Sequence, residues 1–274
     1  MQIVERIHEW TMNEPPIFGW FHILFFLFAI CVTFLLIFFF KDCNEKIMKK
    51  IVFITWIGLV FFGIQKELIM SYSDGSLRYN WGSFPFQFCE TPLYIYPLLI
   101  LNKNKRLQNA LITFISTYVF FAGFALVIYP GTLFSVRTIL NIRTMYQHGS
   151  QMAIGLFLFA WNRKNINFRT FMEGSAIFLF LVAFATIINL ILGPLVAPDY
   201  EVNMFFIAKD YSTNLMILKL VQPHVNWIIF IFLYILGFTF CAVSSLIVEM
   251  FVYKLIQNKQ ISKQKELEYN NDLA

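Results

Sequence analysis

The stretch that decides the fold is Ile17–Phe40, IFGWFHILFFLFAICVTFLLIFFF, which holds no Lys, Arg, Asp or Glu. As a helix it would be about 36 Å long, more than the roughly 30 Å of a bilayer's hydrocarbon core. It exceeds the roughly 7–15 apolar residues of a secretory signal, and no small-residue cleavage site follows it. The run therefore reads as a permanent span. Six more follow: Ile51–Tyr72, Phe84–Leu101, Gln108–Ile128, Met145–Trp161, Phe168–Val196 and Val225–Tyr253. The third and fifth are short and begin with polar residues.

Composition agrees. Of 274 residues, 58% are hydrophobic and 14% charged, against about 25% charged in soluble globular proteins. An all-α polytopic membrane protein with seven transmembrane helices is expected. The net charge of +5 is no nucleic-acid signal, because Lys and Arg sit in short loops between apolar runs. The 34 Phe fit an A/T-rich genome and carry no functional weight.

Counted by loop, 14 of the 21 Lys and Arg fall on one side of a seven-span chain. The richer side faces the cytoplasm. This predicts an extracytoplasmic N-terminal segment (1–16), a transmembrane domain (17–253) and a charged cytoplasmic tail (254–274). A long polar connection, Ala197–His224, lies outside. Helices three and five then enter from the outer face, which sets Cys89 and His148 at similar depth near their starts.

Of the four cysteines, Cys31 and Cys241 fall mid-span and read as small buried residues. Cys43 lies in a cytoplasmic loop, where disulfides are rare. Cys89 has no disulfide partner in reach. No metal-ligand spacing is present, and neither a metal nor a cofactor is expected. With Pro85 in a first helical turn, Cys89 would sit near the positive end of the helix dipole, which favours thiolate. Pro92 frees the Phe88 carbonyl, and Pro97 adds a second break. An ionised Glu90 beside the thiol opposes thiolate formation.

His148 is a candidate general base for Cys89, with Gln151 one turn on to orient the ring. His224 is a second candidate; His8 and His22 are weaker ones. The plain alternatives are a small buried cysteine and an interfacial histidine. Glu67 and Glu90 are carboxylates at membrane depth, where such groups face a bundle interior or a wet cavity. Glu67 follows Lys66, but adjacent helical residues do not face each other. Asn189 reads as interhelical glue.

Phe84-Pro85-Phe86-Gln87-Phe88-Cys89-Glu90 resembles the "LPLHLCD" signature of the YwaF-like, transmembrane protein 164 family. Gln65-Lys66-Glu67 is similar to that family's Gln/Glu pair. Ile187-Ile188-Asn189-Leu190 and Asn203-Met204-Phe205-Phe206 resemble its "NLLLGxNYMFL" region. Gln87 stands where the family has His, and Pro194–Val202 interrupts the last motif. The resemblance implies a cysteine-dependent acyltransferase of a bacterial cell membrane, acting on membrane lipids. Cys89 would be the nucleophile and His148 the base, with a phospholipid as acyl donor and a lysolipid as acceptor. Glu67, Glu90, Gln151 and Asn203 would orient the histidine or the headgroup. Two other classes stay open: a seven-helix transporter or lipid-binding protein, and a membrane scaffold.

Overall fold

The computed structural model describes residues 2–73, 75–131 and 133–272. The chain is helical almost throughout. In order it forms α1 (Gln2–Glu9), α2 (Trp20–Phe40), α3 (Glu45–Met70) and a small hairpin of β1 (Tyr72–Ser73) and β2 (Ser76–Leu77). Then come α4 (Pro92–Leu101), α5 (Lys105–Ile128), α6 (Thr138–Asn162), α7 (Phe168–Val196), α8 (Met216–Val221) and α9 (Trp227–Asp272). Asparagine side chains cap four starts, Asn226 serving α9 through the Ile229 N–H at 2.9 Å. Asn44, Asn104 and Asn167 accept from backbone N–H groups of α3, α5 and α7, satisfying donors a helix start leaves unpaired.

The connections alternate between two ends of the bundle. At one end Arg163 pairs with Asp42 at 2.7 Å and Arg106 with Glu173 at 2.7 Å, while the Trp161 indole donates to the Cys43 carbonyl. At the other, Thr11 bridges to Arg137, Arg78 pairs with Asp199 at 2.9 Å, and the Trp227 indole donates to the Ile207 carbonyl.

Among the described residues, five helices are long and apolar enough to cross a membrane: α2, α3, α5, α7 and α9 as far as Asn258. The other two expected spans differ in instructive ways. The fifth starts at Thr138, seven residues before the expected Met145. It carries Asn141, Arg143, Gln147, His148 and Gln151, which lower its hydropathy. It is also the central helix, packed by α2, α3 and α5, so its polar side chains face protein rather than lipid.

The third expected span starts eight residues late, at Pro92. The preceding stretch runs irregularly through a 3-10 turn, Phe88–Glu90. Pro92 thus begins the helix instead of breaking it, as suits a first-turn proline. The Phe88 carbonyl it frees accepts from the Thr91 hydroxyl at 2.8 Å. Pro97 does not break α4 either. The carbonyl it orphans, Leu93 O, accepts from the Trp56 indole of α3 at 2.9 Å.

The connection after α7 is not simply polar. Val202, Met204, Phe205 and Ile207 are fully buried. Phe205 and Phe206 take left-handed backbone angles, φ 57° and 58°, which cost about 1–2 kcal/mol each. The Phe205 ring stacks on Phe86 at 5.6 Å and meets Phe88 edge-on. Asn189 holds the segment: its amide donates to the Met204 carbonyl at 3.0 Å and its Oδ1 accepts from the Met204 N–H at 2.7 Å. The glue expected of Asn189 thus joins helix to loop. Asn189→Leu would leave the Met204 N–H buried and unpaired, at about 1–3 kcal/mol, while the Met204 carbonyl keeps only the Ile207 N–H at 3.3 Å. A lower unfolding temperature and new protease cleavage within 197–214 are the expected outcome.

Candidate functional site

The site is built on the irregular stretch before α4. Phe86 and Phe88 anchor it, Phe86 against Phe205 and Phe88 against Phe178 and Phe238. Gln87, Cys89 and Glu90 lie between and beyond these anchors. Irregular backbone at membrane depth is tolerated where protein surrounds it, and here the Pro85 and Cys89 carbonyls and the Gln87 N–H are engaged by side chains.

Glu90, 3% exposed, is the hub. Its Oε2 accepts from the Gln87 N–H at 3.1 Å and closes a capping box. Its Oε1 meets Lys66 Nζ at 2.9 Å and Arg143 Nη2 at 2.6 Å. Lys66 also pairs with Glu67 at 3.0 Å, and Glu67 Oε2 accepts from the Ser83 hydroxyl at 3.0 Å. Arg143, Glu90, Lys66 and Glu67 therefore alternate in sign along one chain of contacts and sum to zero. The expectation that Lys66 and Glu67 stay apart is wrong. Near the end of α3 the long lysine stem turns its ammonium towards Glu90, within reach of its neighbour.

Cys89 is half-buried. Its carbonyl accepts from the Gln147 amide at 2.7 Å and from the Gln151 amide. These glutamines are one helical turn apart and bracket His148. His148 does not open its helix as expected. With α6 starting at Thr138 it lies ten residues in, about 15 Å along the axis. Its ring is 4% exposed, and Gln151 lies beside it. Neither His148 Nδ1 nor Gln151 Oε1 has an aligned hydrogen bond. Gln151 thus holds the Cys89 peptide with one end of its amide and leaves the other free beside the imidazole. Among the described residues, no hydrogen bond joins the Cys89 thiol to His148.

Other expected residues take different places. The Asn203 side chain serves its own loop, accepting from the Ala208 N–H at 3.0 Å and donating to the Ser212 carbonyl at 3.2 Å. Its backbone carbonyl accepts from the Gln87 amide at 2.8 Å. His224 is exposed in the turn after α8. His22 uses both ring nitrogens structurally, on the Phe18 N–H and the Val127 carbonyl. Lys66, Arg143 and Gln147 were not singled out from sequence. Arg143, Gln147 and Gln151 recur every fourth residue, so one face of α6 carries a polar stripe. That spacing was the available signal.

Two cavities adjoin. A small one, with room for about one water, is lined by Cys89, Glu90, Arg143, Gln147, Gly63 and Leu93 among others. A groove of about 550 Å³ runs between α3 and α4, walled by Val60, Ile64, Leu68 and Tyr94, with Glu67 and Tyr79 at its polar end. It too is lined by Gly63 and Leu93. Burial and the nearby Glu67 carboxylate push the Tyr79 phenol up to about 12, so it stays a neutral donor at that mouth. Groove volume falls within the range of small-molecule sites.

Residues 17–247 match the model of the TMEM164 family. No curated protein and no solved structure matches the chain.

Proposed function

The chain belongs to the TMEM164 family, and from that premise we propose that it is an integral-membrane acyltransferase working through a thioester on Cys89. The observation that carries this reading is the shared wall of Gly63 and Leu93 between the Cys89 cavity and the α3–α4 groove. An acyl chain lying in the groove would bring its ester to the thiol. The family resemblance supplies the chemistry. All seven helical segments would cross the bilayer, with the N-terminus outside and the tail in the cytoplasm of a bacterial cell.

In the first half-reaction His148 takes the Cys89 proton, and the sulfur attacks the ester carbonyl of a phospholipid. The carbon–oxygen bond breaks, and the departing lysolipid alkoxide takes the proton back from the imidazolium. In the second half-reaction His148 deprotonates an acceptor lysolipid hydroxyl. That oxygen attacks the thioester, and the sulfur leaves and is reprotonated. The thiol must turn towards His148 as substrate seats. Glu67 and Tyr79 would receive the headgroup at the groove mouth.

Intact-protein mass spectrometry after incubation with phospholipid vesicles tests this. Wild-type protein should gain one acyl mass on Cys89, removable by neutral hydroxylamine, and Cys89→Ala should gain none. Transfer by Cys89→Ser at the wild-type rate would sink the idea. A second reading, a lipid-binding or transport protein, draws on the neutral four-charge chain and on the lack, among the described residues, of a hydrogen bond between the Cys89 thiol and His148. It expects Cys89→Ala to keep function and Glu67→Ala to lose it.

A further inference from the structure

A further cavity, which Cys89 does not line, lies at the end of the bundle that carries Asp42 and Arg163. It measures about 670 Å³ and is walled by α2, α5, α6 and α9. Phe121 and Phe124 are among its apolar lining, and Lys41, Arg163 and Glu249 are its charged lining residues. Glu249 is 6% exposed, and neither of its carboxylate oxygens has a hydrogen-bond partner. A buried, unpartnered carboxylate is costly in any protein and more so at membrane depth. Glu249 lines a cavity with both of its oxygens buried, so a ligand that enters the cavity can satisfy it.

The ligand's chemistry follows from the donors and acceptors present. Two free carboxylate oxygens call for a group rich in N–H donors, and a primary ammonium offers three. Lys41 and Arg163 are cations suited to a phosphate. Arg163 also pairs with Asp42 at 2.7 Å and lies over the Tyr253 ring, which fixes its position. The apolar wall suits acyl chains. We propose that this cavity binds a glycerophospholipid with a primary-ammonium headgroup, its ammonium on Glu249 and its phosphate on Lys41 and Arg163. A quaternary ammonium has no N–H to give, and a glycerol headgroup has no charge to offer. This site uses none of the residues assigned to acyl transfer and stands whether or not that reading does.

Native mass spectrometry of the detergent-solubilised chain tests it, using equal amounts of phosphatidylethanolamine, phosphatidylcholine and phosphatidylglycerol. Wild-type protein should retain the ethanolamine lipid about tenfold more than either other lipid, the scale of one charge-assisted hydrogen bond. Glu249→Gln should bring it down to the choline level, and Lys41→Gln should weaken all three. Soluble phosphoethanolamine should not displace the lipid, since it cannot use the apolar wall. Equal retention of the three lipids by wild-type protein would overturn the proposal without any variant. So would an ethanolamine preference that survives in Glu249→Gln, or displacement by the soluble headgroup.

Discussion

Glu90→Ala is expected to lower the stability of the folded chain by about 3–5 kcal/mol, the usual consequence of removing one partner from a buried ion pair. The size of the effect follows from the hub. One carboxylate oxygen serves both Lys66 and Arg143, and the other closes the turn through the Gln87 N–H. Its loss leaves Arg143 buried without a counter-charge and opens the turn that carries Cys89. Arg143→Met should cost clearly less, because Lys66 remains on the same oxygen. Glu90→Gln should fall between, keeping an acceptor for the turn while losing the charge. Thermal unfolding followed by tryptophan fluorescence measures the series. If Arg143→Met proves as damaging as Glu90→Ala, the hub assignment is wrong.

On the proposed acyl-transfer function, Gly123→Ala is expected to reduce transfer about a hundredfold, the scale of a roughly 1 Å misplacement of reacting groups. A Cβ there would lie 2.6 Å from Gln151 Cβ, 2.7 Å from the His148 carbonyl and 2.8 Å from the Met152 nitrogen. Two of these are backbone atoms, so relief requires α5 and α6 to part where His148 and Gln151 sit. Overpacking of this kind also costs about 1–3 kcal/mol of stability. Gly237→Ala in α9 is the matched control. Its added Cβ meets nothing within 4 Å, and the helix should gain up to about 1 kcal/mol. Comparing transfer rates and unfolding temperatures of the two variants separates a local displacement from a general glycine effect. Equal rates in both would remove the α5–α6 contact from the account of the site.

The helical segments were legible because a lipid-facing run must be apolar over its whole length. Ile17–Phe40, with no Lys, Arg, Asp or Glu, shows this plainly. The reading weakened where a helix is shielded by its neighbours. α6 can carry polar residues across its centre, so its true start at Thr138 was hidden behind Met145. The short α4 was misplaced for a related reason. Pro85 and Pro92 both suit a first turn, and only the three-dimensional partners of Glu90 decide which one holds it. Cys89, Glu90 and His148 could be named from local chemistry and family resemblance. The Lys66–Glu90–Arg143 contacts join residues 24 and 53 positions apart, and no local pattern encodes them. Glu249 was visible as an acidic residue inside the last apolar run, but its lack of partners was not.

The bond from the Trp56 indole to the Leu93 carbonyl has a kinetic consequence. It fastens α4 to α3 at the residue that separates the lipid-facing groove from the Cys89 thiol. The main chain at that barrier is therefore pinned, and Gly63 opposite has no side chain; a Cβ there would lie 4.0 Å from the Leu93 methyl, in ordinary contact. Passage between the groove and the small cavity lined by Cys89 then runs past the Leu93 side chain. Such a barrier opens by a side-chain flip, far faster than the microsecond-to-millisecond sliding of whole helices.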